Sequence, residues 1–149
     1  MTVMGAVKFK RFFRAAAEVN VDKDDLKRYS AFVNHKLYDL LLLAEATARA
    51  NVRDVVQPWD LPIPKGLQER IHEFRRLDTD LELEPILEQI EQLPPLDLAL
   101  SEETQDELPM LIGGLSAALA ETFKLIDPAL KEPHSVHWER SFRLFDLLL

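Results

Sequence analysis

His134-Ser-Val-His137 places two imidazoles three residues apart, with Glu132 and Glu139 beside them. A metal bound there would be held by His and carboxylate alone, because the chain has no cysteine. The segment reads as a loop entering a helix, where such residues are ordinarily solvated or capping, so no metal site is assigned to His134 and His137, and the sequence leaves open whether they bind adventitious metal. A second cluster, Glu102, Glu103, Asp106 and Glu107, has the composition of an acid/base or cation site. Its place at a helix start is already explained by the free N–H groups and positive dipole end found there. A third set, Lys8, Lys10, Arg11 and Arg14, lies on the polar side of the first predicted helix and has the charge to meet phosphates. The simpler reading is a solvated helix face. The chain has no glycine-rich phosphate loop, serine elbow, HExxH or cysteine nucleophile. The reading is therefore of a non-enzyme, with no catalytic, cofactor-binding or metal residues assigned and no cofactor expected.

The elements that must position these residues follow from the apolar spacing. Phe9, Phe12, Phe13, Ala16 and Ala17 mark one face of a short helix over about Val7 to Ala17. Asp22, Asp24 and Asp25 supply acceptors and negative charge for the start of a second helix, which runs to about Asn51. Its stripe, Leu26 to Ala48, widens from Leu40 onward until the helix is apolar nearly all round, which requires neighbours on several sides. After Pro62 and Pro64 a third helix carries Leu67, Ile71, Phe74 and Leu77. Leu83, Ile86, Leu87, Ile90 and Leu93 make a short helix stopped by Pro94-Pro95. A longer one carries Leu108 to Ile126, opened by Thr104-Gln-Asp-Glu107 in capping-box form. Trp138, Phe142, Phe145 and Leu149 mark the last helix. Of the two tryptophans, Trp59 and Trp138, each is expected to close the bottom of the core. His35 and His72 are expected at its edge.

The order short, long, short therefore occurs twice, with corresponding elements offset by roughly 70 to 80 residues. Val56…Trp59-Asp60 is echoed by Val136…Trp138-Glu139. Neither unit could cover so apolar a central helix alone, so residues 1–77 and 78–149 are expected to pack as one compact domain. Gly113-Gly114 reads as the point where the two long helices cross, near Tyr38.

Charge divides along the same line. Residues 1–76 hold 14 Lys and Arg against 10 Asp and Glu, a balance of +4; residues 77–149 hold 4 against 16, a balance of −12, and the chain totals −8. An acidic total disfavours general affinity for polyanions, while the first half could still present a basic surface. No continuous apolar stretch of signal or membrane-spanning length follows the basic residues near the N-terminus. A soluble cytoplasmic protein with no membrane partner is the simplest expectation.

The segment Arg53-Asp-Val-Val56-Gln-Pro-Trp-Asp60 resembles the second loop of the histone fold. Arg53 and Asp60 match the positions that pair across that loop, and Val56 matches the β-branched residue between them. With the repeated helix order, the chain resembles a bacterial family of single-chain double histone folds. The resemblance implies an all-α histone fold in which two helix–loop–helix–loop–helix units form an intramolecular pseudo-dimer. The second half departs from it: Asp127 to His137 has no equivalent Arg and contains two prolines, which argues against symmetric loop contacts. Histone pairs bind phosphates with first helices and paired loops, so the resemblance makes Lys8, Lys10, Arg11, Arg14 and Arg53 the nucleic-acid candidates. The acids of Asn20 to Asp25 and Ser101 to Glu107 oppose that use. The leading expectation is a non-enzymatic interaction module that binds another protein or itself. Weak DNA association through the basic half is the alternative, and a small metal-dependent enzyme the third reading.

Overall fold

The computed structural model describes residues 3–77 and 79–149. Asp78, where the second expected unit opens, lies outside the described residues. Among those described the chain is mostly helical: α1 (Ala6–Ala17), α2 (Lys23–Ala50), α3 (Lys65–Arg76), α4 (Leu83–Glu91), α5 (Glu102–Ile126) and α6 (Ser135–Leu148), with two short strands, β1 (Val55–Val56) and β2 (Ala99–Leu100).

Local chemistry sets the boundaries. α1 buries Phe9, Phe12, Phe13 and Ala17 and ends where Glu18 turns left-handed, φ 55°, its amide bonded to Arg14 O. In α2 the Asp22 carboxylate accepts from the amides of Asp24 and Asp25, while Asp25 accepts from the Asp22 amide, a closed capping box. The cap of α5 is Ser101, three residues before the expected Thr104. Ser101 Oγ accepts from the Thr104 amide, and Thr104 is itself buried. Pro109 therefore falls inside α5 rather than at its edge.

α5 is the hub, touched by α1, α2, α3, α4 and α6. It is long and apolar enough to cross a membrane by length and composition; those neighbours account for its apolar surface. The atoms nearest its glycines belong to α3 and not, as the sequence suggested, to the other long helix. A Cβ on Gly113 would overlap the Phe74 ring, and one on Gly114 would stand 2.6 Å from Ile71 Cγ1. The partner pressed against the pair is α3, and the missing side chains let it lie close along α5. α2 meets α5 two residues past the pair, where the Tyr29 hydroxyl lies 2.6 Å from Ser116 Oγ. Tyr38 is half-buried and donates to Pro94 O. Around Tyr29 the core is aromatic, with Phe9 5.0 Å away and Phe13, Phe123 and Trp138 in mutual ring contact.

The loops join the two halves at both ends. β1 and β2 pair in parallel, Val55 with Ala99 and Val56 with Leu100. Val56 O also receives the Ser101 amide and the Thr104 hydroxyl. Glu45 on α2 accepts the Leu98 amide at 2.7 Å, fixing the approach to β2. At the other end the Asn20 amide donates to Lys131 O. The loop before each long helix thus bonds to the loop after the other. Among the described residues one end is joined by a ladder and the other by the Asn20–Lys131 backbone bond.

Candidate functional site

Arg53 sits in the loop between α2 and β1, and Asp60 closes the 3₁₀ turn Pro58–Asp60. The guanidinium grips the carboxylate with two bonds, Nη1 to Oδ2 at 2.5 Å and Nη2 to Oδ1 at 2.7 Å, while Asp60 also accepts the Gln57 amide. Such a fork fixes loop geometry as well as charge. The Arg53 bonds, more than the Gln57 amide, hold the Asp60 carboxyl below the usual carboxylate range. The pair's contribution to stability is full above that ordinary range and is lost as pH falls through the lowered value. Trp59 is 71% exposed, its ring 5.8 Å below the Arg53 guanidinium. It does not close the core; Trp138, fully buried, does. Val136 lies in α6 rather than a strand, so the echo of Val56…Trp59 in the second half has no structural counterpart.

The basic residues of α1 divide. Lys10, Arg11 and Arg14 are exposed and line a shallow cleft with Val7 and Ala15. Lys8 leaves that group, its Nζ bonded to Asp80 O at 2.7 Å. Arg53 belongs to the loop pair. Three of the five nucleic-acid candidates are thus gathered on one open face. The acids near the paired loops are placed by the backbone: Asp22 and Asp25 cap α2, and Glu102 and Glu103 lie exposed in the first turn of α5.

At the start of α6 the His134 amide donates to His137 Nδ1, so this imidazole caps a helix. Among the described residues no three His, Asp or Glu side chains converge for a metal. His35 and His72 are exposed rather than at the core edge.

One feature was only partly legible in the sequence, whose closing leucines suggest docking or a partner without locating the surface they border. Between α3, α5 and α6 runs a recess of about 720 Å³, within the size range of ligand and side-chain sites. Leu67, Leu115 and Phe145 are buried residues of its lining, and Leu125, Leu144 and Leu148 stand around it 83%, 43% and 84% exposed. Its charged side chains are Arg70, Glu121 and Lys124. Arg70 reaches Glu121 at 2.7 Å and Glu73 at 3.2 Å. Burial pushes the Glu121 carboxyl up, against the pull of Arg70. The signal was present in the three leucines closing the sequence, but periodicity does not show which face of a last helix its neighbours leave open.

A solved structure from Thermus thermophilus is 52% identical and superposes with a TM-score of 0.96, covering 99% of this chain and 100% of that one. A crystal structure of a protein from Aquifex aeolicus is 25% identical with a TM-score of 0.81, covering 96% of this chain and 94% of that one. An uncharacterized protein of Aquifex aeolicus (strain VF5) is 28% identical over 120 residues, 80% of this chain and 70% of the relative. The sequence model of a domain of unknown function, DUF1931, matches residues 9–146, and the protein belongs to that family.

Proposed function

We propose that the chain is a histone-fold pseudo-dimer, units 1–77 and 78–149, that works by associating with protein through an apolar helical face and carries out no reaction of its own. The fold reading is supported by the twice-repeated order of short, long and short helices. It is supported also by the exchange of loops between halves, each loop before a long helix bonding to the loop after the other. The bidentate Arg53–Asp60 pair at the ladder end has the form expected of a histone second loop. The other end, joined through the Asn20–Lys131 backbone bond, fits a second half that lacks the Arg.

The observation that carries the function is the recess between α3, α5 and α6. A folded monomer seldom leaves large side chains of this kind grouped on one face unless something covers them. Here Leu125 and Leu148 are more than four-fifths exposed beside a ready-made apolar floor. Weak DNA association is the second reading, favoured by the open face of Lys10, Arg11 and Arg14. It ranks lower because Lys8 and Arg53 are already engaged.

The test is a photo-crosslinking amino acid at Leu148, in the cells that make the protein, with the same probe at exposed Val7 as control. Discrete protein adducts from position 148 alone are expected. Equal labelling at both positions, or none at either, would remove the association reading.

A further inference from the structure

One guanidinium joins α3 to α5 and serves three carboxylates. Arg70 Nη1 lies 2.7 Å from Glu121 on α5, and its Nη2 lies 3.2 Å from Glu73 and 3.6 Å from Glu69 on its own helix. Glu69 is shared with Lys65 at 3.8 Å. Lys124, the other cation lining the recess, turns its Nζ to Leu130 O at 2.6 Å, and α6 lines it with Leu144, Phe145, Leu148 and Leu149 alone. Arg70 is thus left between Glu73 and Glu121, which meet carboxyl to carboxyl at hydrogen-bond range. An ionised carboxylate can only accept, so that bond forms only when a proton lies in it. We infer that Glu73 and Glu121 hold one proton between them beside Arg70, in a clasp between α3 and α5 that tightens as the solution turns mildly acidic.

With both carboxyls ionised, the three groups carry −1; with the proton bound they carry none. Burial is the first cause that disfavours charge on Glu121, and Glu73 adds to it against the pull of Arg70, so the carboxyl stands above the ordinary glutamate range. A folded chain that keeps a proton the unfolded chain has released loses stability as pH rises through the raised value. It regains that stability as pH falls through the same value toward the ordinary range. Because Arg70 and Glu121 line the recess, the proton also removes a charge from its wall. The clasp lies within one chain and stands whether or not the recess is covered.

The test is carboxyl-carbon NMR of the full chain, with the Glu121 signal assigned by E121Q and followed from about pH 7 to about pH 3 in the wild type, E73Q and E69Q. All three side chains are partly exposed, so the variants keep the core, which circular dichroism checks. Glu121 should titrate above the ordinary glutamate value. E73Q should bring it down, and E69Q, whose carboxylate also has Lys65, should move it less. A Glu121 that titrates at or below the ordinary value, or that E73Q leaves in place, would overturn the shared proton. Urea unfolding reads the tightening: between about pH 7 and about pH 5 the wild-type midpoint should rise relative to that of E121Q, which cannot take up the proton. Asp25, whose carboxyl burial also raises, is common to both proteins and cancels in the difference. A gap that does not change with pH would overturn the clasp.

Discussion

Ser116 has one hydroxyl hydrogen and two oxygens within reach of it. Its Oγ lies 2.7 Å from Ile112 O and 2.6 Å from the Tyr29 hydroxyl. The carbonyl can only accept, so Ser116 donates along its own helix and Tyr29 donates to Ser116. Both residues are fully buried, and burial raises the Tyr29 phenol far above its ordinary value, which keeps that proton in place. The two conservative variants should therefore differ. Tyr29→Phe removes the donor and leaves Ser116 satisfied by the carbonyl, a loss of about 1 kcal/mol. Ser116→Ala strands a buried O–H, a loss of roughly 1–3 kcal/mol. Urea unfolding of both variants measures the order; Tyr29→Phe being the more damaging would reverse the assigned direction of the bond. Nothing in the sequence joins these two residues, 87 positions apart. The Arg53–Asp60 pair, by contrast, was legible through its resemblance to the second loop of the histone fold, which implies that an Arg and an Asp at this spacing pair.

Helix order was legible because each helix buries one stripe and writes it into the sequence at its own period. Which neighbour covers the stripe is not written there. Gly113 and Gly114 show the difference: the pair marks a close approach, and the side chains pressed closest to it come from α3. The Ser101 cap was hidden for a related reason, since Thr104-Gln-Asp-Glu107 has capping form while Thr104 instead bonds back to Val56 O across the halves. The glycine reading has a sharp consequence. In an open helix, Gly→Ala gains about 1 kcal/mol. At Gly113 the new methyl would enter the Phe74 ring, which is itself core and has no free side to turn to. Overpacking of that kind costs roughly 1–3 kcal/mol. Gly113→Ala and Gly114→Ala should both lower the denaturation midpoint, whereas Gly66→Ala, near the start of α3 with nothing within 4 Å, should raise it slightly. A stabilised Gly113→Ala protein would mean that α3 does not lie where its contacts place it.

For the whole molecule, the decisive quantity is how many cations can act on one polyanion together. The −12 of residues 77–149 outweighs the +4 of residues 1–76, and the acids of the α2 and α5 helix starts stand beside the paired loops. Of the five basic residues that histone likeness would aim at phosphates, Lys8 is bonded to Asp80 O and Arg53 is committed to Asp60. Lys10, Arg11 and Arg14 remain as one exposed group. Each phosphate neutralised on duplex DNA contributes about 0.9 to the slope of log affinity against log salt, so this face supports a slope no steeper than about −3. Binding to duplex DNA at about 0.15 M salt should then be weak or absent, and K10A/R11A/R14A should abolish whatever a salt titration detects. An L125E/L148E variant should leave that titration unchanged, because the recess leucines are no part of the α1 face. Tight binding that survives the triple α1 variant would show that the acidic half does not limit contact with DNA, and would move the protein's function from the apolar recess to a nucleic-acid surface.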